Sequence, residues 1–242
     1  MSVAINEKSI LENVSKRKRR SIVFFDFDNT ITSFDVLDDI IERFSINQDW
    51  IVFEKAWTEG KIGSKECLQN QLKSVRVSKK VLAAYLSGIK VDPYFVKLIS
   101  LFKEKRLEYV IVSDSFSWVI KEILRHHGIV NIRVFSNRVK FQGDRLIPFF
   151  PYESAECRKC AHCKKRHVLQ SKAKRTFYIG DGLSDICPAQ EADVVFAKGQ
   201  LLKHFQEMRQ PCLDFKNLGD IYNYFQTAVF GESRAKKALA VA

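Results

Sequence analysis

Apolar residues along the chain fall into short continuous runs, separated by longer stretches in which they recur every three or four positions. The short runs are typical of buried strands, and we predict strands at 22–26, 109–112, 132–135, 176–179 and 194–196. The longer stretches have the spacing of amphipathic helices. Strands that alternate with helices indicate an α/β fold, in which a doubly wound parallel sheet is covered by helices on both faces.

The stretch between the first two predicted strands is helical in pattern. Apolar residues repeat at helix spacing over 36–44 and again over 81–86, so we predict a helical insert at 35–87, after the first strand. Asp92 and the following proline then cap and open a helix over 94–105. The remaining predicted elements are a helix at 118–127, a hairpin of 138–141 and 145–148 around Gly143, a helix near 165–171 and a short helix before the last strand.

These elements divide the chain into a core and several additions. The predicted parts are a basic flexible tail at 1–20, a core at 21–34 and 88–228, the helical insert at 35–87, a hairpin and cysteine-rich loop at 136–167 within the core, and a tail at 229–242.

Polar side chains follow three of the predicted strands, at the point where each strand ends. Asp26 and Asp28 end the first, Ser113 follows the second, and Asp181 and Asp185 follow the strand at 176–179. Ligands of such sheets bind beyond the carboxyl ends of the strands. The three clusters are therefore expected to meet in one crevice.

Two carboxylates held side by side repel each other unless a cation or a shared proton compensates. Asp26 and Asp28 lie two positions apart along an extended strand, so their side chains point to the same side. We interpret them as a reaction centre; the alternative is a helix cap at the strand end. Asp181 and Asp185 offer hard oxygen donors of the kind that Mg²⁺ prefers, although either could instead cap the short helix that follows.

The chain of 242 residues carries a formal net charge of +12, part of it in the basic run at 16–20. A solvated tail explains that run, and contact with nucleic acid or a nuclear address are the alternatives. No stretch approaches the roughly 18 apolar residues of a membrane span. The N-terminus has no basic region followed by an apolar one, which favours a cytoplasmic protein.

Three of the six cysteines crowd into one loop, at Cys157, Cys160 and Cys163. Together with His167 they could form a closed tetrahedral site for a structural zinc ion. The alternative is a loop of reduced thiols that pack against the core. Reduced thiols agree with the absence of an export signal.

The ordered set of motifs resembles the haloacid dehalogenase superfamily of phosphatases. The motifs are the run from Asp26 to Thr30, Ser113, a lysine beside the cysteine loop, and the run from Gly180 to Asp185. Their order and spacing match from about residue 21 to residue 225. The helical insert is similar to the cap of the phosphoserine phosphatase branch. Within that branch the chain resembles the hydroxyketo-methylthiopentenyl phosphate phosphatases of methionine salvage and the phosphoethanolamine/phosphocholine phosphatases.

The resemblance implies a Mg²⁺-dependent phosphatase that works through an aspartyl-phosphate. Asp26 would be the nucleophile and Asp28 the group that protonates the leaving oxygen and later deprotonates water. The residues implied to contact the phosphate are Thr30, which would also orient Asp28, Ser113 and Lys164, with Lys165 as the alternative lysine. The metal would be held by Asp26, Asp28, Asp181 and Asp185, and Asp35 would contact a substrate amine or else serve as a cap.

The expected substrate is a small phosphorylated metabolite, because a helical cap leaves little room for a folded partner. It is either the methionine-salvage enol phosphate or one of phosphoserine, phosphocholine and phosphoethanolamine. Two non-enzymatic hypotheses stand beside this one: a nucleic-acid-binding protein that uses residues 16–20, and a phosphate-binding scaffold without activity.

Overall fold

The computed structural model describes residues 21–154, 157 and 159–231, and within these ranges seven strands form one sheet. The strands are β1 (Ser21–Phe25), β2 (Glu108–Phe116), β3 (Val134–Gln142), β4 (Arg145–Phe149), β5 (Arg175–Gly180), β6 (Val194–Ala197) and β7 (Leu213–Asp214). Their order across the sheet is β4-β3-β2-β1-β5-β6-β7. Neighbouring strands are parallel except β3 and β4, which form an antiparallel hairpin.

Helices separate most of the strands along the chain. Four lie in the insert: α1 (Val36–Phe44), α2 (Trp50–Thr58), α3 (Ser64–Gln71) and α4 (Lys79–Leu86). The others are α5 (Pro93–Lys105), α6 (Ser117–His126), α7 (Lys164–Leu169), α8 (Ile186–Ala189), α9 (Gly199–Glu207) and α10 (Leu218–Tyr224).

Side chains of the central strand alternate between two apolar layers, as the pleat of a strand requires. Val23 and Phe25 pack with the larger layer, which includes apolar residues of α5, α6, α10 and the insert. Ile22 and Phe24 pack with the smaller layer, under α7, α8 and α9. Helices on both faces of a mostly parallel sheet confirm the predicted doubly wound α/β fold.

One region differs from the sequence prediction. The predicted strand at 132–135 and the first arm of the hairpin are one continuous strand, β3. Its first part pairs parallel with β2 and its second part antiparallel with β4. Ser136 and Asn137, in the middle of β3, are polar yet almost fully buried. They interrupt the apolar pattern of the sequence although the strand continues through them.

The chain leaves the core for the insert and returns to it at one place, where Thr32 and Val91 form an antiparallel bridge. The insert therefore lies next to the carboxyl end of β1. The run at 16–20, the rest of the N-terminal tail and residues 232–242 lie outside the described residues. Among the described helices, none is both long and apolar enough to span a bilayer.

Asp92 joins two helices, which goes beyond the cap role predicted for it. Its Oδ1 accepts a hydrogen bond from the Tyr94 main-chain nitrogen at 2.8 Å, at the start of α5. Its Oδ2 accepts one from the Leu218 main-chain nitrogen at 2.9 Å, at the start of α10. One carboxylate thus satisfies an otherwise unpaired N–H of each helix.

We predict that Asp92→Ala lowers the free energy of unfolding by about 2 kcal/mol, because both caps are lost together. Ser78→Ala, which removes only the exposed cap of α4, should cost about 0.5 kcal/mol. Urea unfolding of the two variants and the parent measures both values. Equal losses would show that the bond from Asp92 to α10 contributes nothing.

Candidate active site

A cavity of about 510 Å³ opens at the carboxyl ends of the central strands, between them and the insert. Asp26, Asp28, Ser113, Lys164 and Asp181 all line it. The three strand-end clusters of the sequence therefore meet in one crevice, as expected.

The Lys164 side chain is fully buried at the base of this cavity, with 3% of the residue exposed. Its ammonium donates to Asp26 Oδ1 at 2.6 Å, Asp185 Oδ1 at 2.8 Å and Ser184 Oγ at 3.0 Å. Burial alone would lower the pKa of Lys164, but the charges of Asp185 and Asp26 raise it well above its ordinary value. Lys164 therefore stays cationic beside the predicted nucleophile, whereas the half-exposed Lys165 pairs with Glu191.

Asp185 is completely buried and accepts four hydrogen bonds. Oδ1 takes those of Lys164 and of the Tyr178 hydroxyl, at 2.8 and 2.7 Å. Oδ2 takes the main-chain N–H groups of Asp181 and Gly182, at 3.0 and 3.1 Å. The carboxylate approaches the backbone so closely that a Cβ on Gly180 would lie 2.6 Å from Oδ2. These contacts shape the loop that presents Asp181, and they leave little of Asp185 for direct contact with a metal ion.

Asp26, Asp181 and Asp185 bring carboxylate oxygens within 4.8 Å of one another, and no other group of three or more metal ligands is that close among the described residues. Carboxylate oxygens are the donors that a hard cation such as Mg²⁺ prefers. Because Asp185 already accepts four hydrogen bonds, Asp26 and Asp181 are the two best placed to bind it.

Thr30 is placed differently from the expectation. Its hydroxyl donates to Asp181 Oδ1 at 3.0 Å, not to Asp28, and Thr30 is not among the residues that line the cavity. The side chain is 98% buried. Thr30 therefore orients a candidate metal ligand, and its side chain does not form part of the cavity wall.

Asp28 lies beside the cavity with Oδ1 accepting from the Val36 main-chain nitrogen at 2.9 Å. Burial, then the charges of Asp35 and Asp26, raise the pKa of Asp28 well above its ordinary value. A carboxyl group with a raised pKa can hold a proton near neutral pH and deliver it to a leaving group. The turn that follows places Asn29 at φ 53°, a left-handed conformation that asparagine tolerates better than most residues.

Ser113 is 1% exposed and lines the cavity at the end of the regular pairing of β2. Its Oγ accepts a hydrogen bond from the Ser115 main-chain nitrogen at 3.0 Å. Because that bond uses an oxygen lone pair, the hydroxyl proton remains available for an oxygen of a bound phosphate.

The insert contributes three carboxylates to the upper part of the cavity: Asp35, Asp38 and Glu54. Asp35 also caps α1 through the Asp38 main-chain nitrogen at 2.9 Å, so it serves as a cap and lines the site at once. Loss of hydration raises the pKa of all three groups, and for Asp38 the charges of Asp35 and Glu54 raise it further. The lysines that line the cavity, Lys164 and Lys198, belong to the core, and no basic residue of the insert joins them.

The residues predicted to bind zinc, Cys157, Cys160, Cys163 and His167, do not form a cluster of ligands among the described residues. His167 turns its Nε2 towards His162 Nε2 at 2.7 Å and stacks on Phe135, with ring centroids 4.3 Å apart. Cys157 Sγ lies 3.3 Å from Cys160 Sγ, and the histidine ring is engaged with aromatic neighbours rather than with thiols. The described part of the cysteine loop is therefore a packing and hydrogen-bonding element.

Several groups of the site escaped the sequence analysis. Tyr178 and Ser184 bind the Asp185–Lys164 pair, and Asp38 and Glu54 line the cavity from the insert. Ser184 stands inside the motif that ends at Asp185, so its proximity could have been anticipated. The positions of Asp38 and Glu54 in the cavity wall depend on how the helices of the insert pack, and no local sequence pattern specifies that packing.

Comparison with known proteins places this geometry in a family. The family model described as "Putative Phosphatase" matches residues 21–214. A 2-hydroxy-3-keto-5-methylthiopentenyl-1-phosphate phosphatase from Geobacillus thermodenitrificans is 26% identical over 220 residues, covering 86% of this chain and 97% of its own. A protein of the same name from Brevibacillus brevis is 24% identical over 214 residues, covering 86% and 96%.

A solved structure shares the fold. The structure described as a phospho-aspartyl intermediate analogue of phosphoserine phosphatase superposes with a TM-score of 0.66 at 20% identity, covering 86% of this chain and 99% of its own. This likeness confirms the fold that the sequence resemblance implies, and the matched family model spans most of the chain. The chain belongs to the family described as Putative Phosphatase and is a phosphoric monoester hydrolase.

Proposed function

We propose that the cavity hydrolyses a small phosphomonoester in two steps, with Asp26 as the nucleophile. The observation that carries this proposal is the contact of the buried Lys164 ammonium with Asp26 Oδ1 at 2.6 Å. It holds the carboxylate at the base of the cavity, and among the described residues no hydrogen bond occupies Oδ2. Phosphate oxygens repel an incoming anion, so a fixed positive charge at this point lowers the barrier to attack.

In the first step Asp26 Oδ2 attacks phosphorus, the bond from phosphorus to the leaving oxygen breaks, and Asp28 gives that oxygen its proton. In the second step water attacks the aspartyl-phosphate, Asp28 takes a proton from the water, and the bond between phosphorus and Asp26 breaks to release inorganic phosphate. Ser113 donates to a phosphate oxygen, and the Lys164 ammonium exchanges its bond to Ser184 Oγ, the longest of its three at 3.0 Å, for one to phosphate. Asp26 and Asp181, together with the main chain of Asp28 as in related phosphatases, would hold Mg²⁺, which supplies further charge neutralisation at the phosphate.

The insert would act as a cap over this chemistry. Its helices lie above the carboxyl ends of the strands and supply the part of the cavity wall that a leaving group would face. A covered cavity of about 510 Å³ suits a metabolite better than a folded protein. A lid also excludes bulk water during the first step.

Asp26→Asn should abolish metal-dependent phosphate release, because an amide oxygen is a far weaker nucleophile. We expect a loss of roughly 1000-fold or more in kcat towards an aryl phosphate. EDTA should stop the parent enzyme and added Mg²⁺ should restore it. Asp144→Asn, at the exposed hairpin turn, is the matched control and should keep parental activity; turnover by Asp26→Asn near the parental rate would exclude Asp26 as nucleophile.

Lys164 and Lys165 are adjacent, yet only Lys164 reaches the site. Lys164→Met should lower kcat/KM by about 100-fold, since it removes the charge that binds phosphate and leaves the buried Asp26 and Asp185 to repel each other. Lys165→Met breaks only a surface ion pair and should change kcat/KM by less than about twofold. Steady-state kinetics and melting temperatures of both variants test this; equal effects on kcat/KM would refute the assignment of Lys164.

Two classes of substrate have support. The names of the bacterial relatives favour the methionine-salvage enol phosphate, whose leaving group carries no cation. The three carboxylates of the insert, at Asp35, Asp38 and Glu54, favour instead a leaving group with an ammonium charge, as in phosphoserine, phosphoethanolamine or phosphocholine. Trp57 lies in the same wall and offers an aromatic face to such a cation.

A matched substrate pair separates the two classes. Phosphoethanolamine and propyl phosphate have similar size and differ in the terminal ammonium. If the acidic wall selects the substrate, kcat/KM favours phosphoethanolamine, and Glu54→Gln, which keeps an acceptor for Gln71, reduces that preference by about tenfold. Equal rates for the pair, with faster turnover of the enol phosphate, would instead assign the neutral substrate.

A further inference from the structure

The segment of β2 that carries Ser113 departs from regular strand pairing. The pairing of β2 with β3 runs regularly to Ser113 opposite Ser136, and then jumps to Phe116 opposite Asn137. Asp114 and Ser115 are thus extra residues on β2, as in a β-bulge. Bulges beside active sites re-aim a side chain, and here the affected side chains, Ser113 to Ser115, all line the cavity.

Side chains bind the main-chain carbonyls of this bulge. Asn137 Nδ2 donates to the Asp114 carbonyl at 2.7 Å, and His162 Nδ1 donates to the Ser113 carbonyl at 2.8 Å. Both donors are buried, with Asn137 at 0% and His162 at 2% exposure. Buried carbonyls need a partner, so these two side chains fix the path of the bulge.

The hydrogen-bond partners also fix the proton on His162. A carbonyl can only accept, so Nδ1 carries the proton. His162 Nε2 lies 2.7 Å from His167 Nε2, and one of those two nitrogens must then be an acceptor. Burial disfavours a charged imidazole, so His162 is neutral, its Nε2 is the acceptor and His167 Nε2 donates to it. Burial lowers the pKa of His162 to about 3 and that of His167 to about 4, in agreement with this arrangement.

His162 is also connected to Lys164, the second side chain that we expect to bind phosphate. It lies two residues before Lys164, and its own carbonyl accepts the Lys164 main-chain N–H at 2.9 Å. Ser113 belongs to β2 and Lys164 is the first residue of α7, after the loop that follows the hairpin, so no strand pairing sets the distance between them. The bond from His162 to the Ser113 carbonyl is a direct link between these two parts of the chain.

We propose that His162 is a positioning residue that holds the Ser113 hydroxyl in register with the Lys164 ammonium, so that both reach oxygens of one phosphate group. This inference rests on the proposed function. It assigns His162 no proton transfer and no direct contact with the substrate. Its effect is on the affinity for the phosphate group.

The test compares variants of His162 that place a hydrogen-bond donor at different positions. His162→Asn puts an amide N–H near the position of Nδ1, whereas His162→Gln carries its amide one carbon further, towards His167. His162→Leu removes the donor. The matched control is His127→Leu, since the half-buried His127 also bonds a main-chain carbonyl, that of Ile89 at 2.8 Å, outside the cavity.

The inhibition constant of inorganic phosphate and the KM for an aryl phosphate, both with Mg²⁺, are the readouts, beside the melting temperature. We expect both constants to rise about tenfold in His162→Leu and His162→Gln, and less than about threefold in His162→Asn. His127→Leu should lower the melting temperature and leave both constants unchanged.

Two results would overturn the inference. One is parental phosphate affinity in His162→Gln, and the other is an equal loss of phosphate affinity in His162→Asn and His162→Gln. If His162→Leu does not fold, the comparison of Asn with Gln still decides. Absence of turnover in the parent enzyme would refute the proposed function instead, so the two failures are distinguishable.

Discussion

The buried ammonium of Lys164 is the interaction on which the site depends. Removing a charged side chain from water is unfavourable unless opposite charges and hydrogen bonds replace the lost hydration. Lys164 has two carboxylates and a hydroxyl within 3.0 Å, supplied by β1 and by the loop after β5. The start of α7, the end of β1 and the loop after β5 must therefore come together for this ammonium to be stable. Catalytic geometry and folding are thus coupled through one side chain.

Asp185 shows how the carboxylates divide their tasks. It accepts four hydrogen bonds and lies away from solvent, so it holds Lys164 and the backbone that carries Asp181. Asp181 is only partly buried and lines the cavity. Two aspartates of one short motif are therefore unequal: Asp181 lines the cavity, where a metal ion would bind, and Asp185 stabilises the loop. Gly180 permits this because any side chain there would meet the Asp185 carboxylate.

The sequence predicted those parts of the structure that depend on local pattern. Apolar runs ending in Asp26, Ser113 and Asp181 located the strand ends, and parallel pairing makes such ends meet. The sequence-based prediction was wrong where contacts between distant parts of the chain determine the structure. Two strands were predicted in place of β3 because Asn137, buried for its bond to Asp114, interrupts the apolar run. The zinc prediction found no support, because His167 is hydrogen-bonded to His162 and stacked on Phe135, contacts that no local pattern indicates.

The side chains of Asp35 and Glu54 form their hydrogen bonds within the insert, and this bears on how substrate choice can change. Asp35 has a structural duty as the cap of α1, so its replacement would weaken the helix as well as alter the cavity. Glu54 accepts from Gln71 within the insert alone. Neither contact involves Asp26, Lys164 or Asp185. A change in the charge of this wall can therefore leave Asp26, Lys164 and Asp185 in place. The name of a relative identifies the reaction more securely than the substrate, and the substrate must be determined from the wall of this chain.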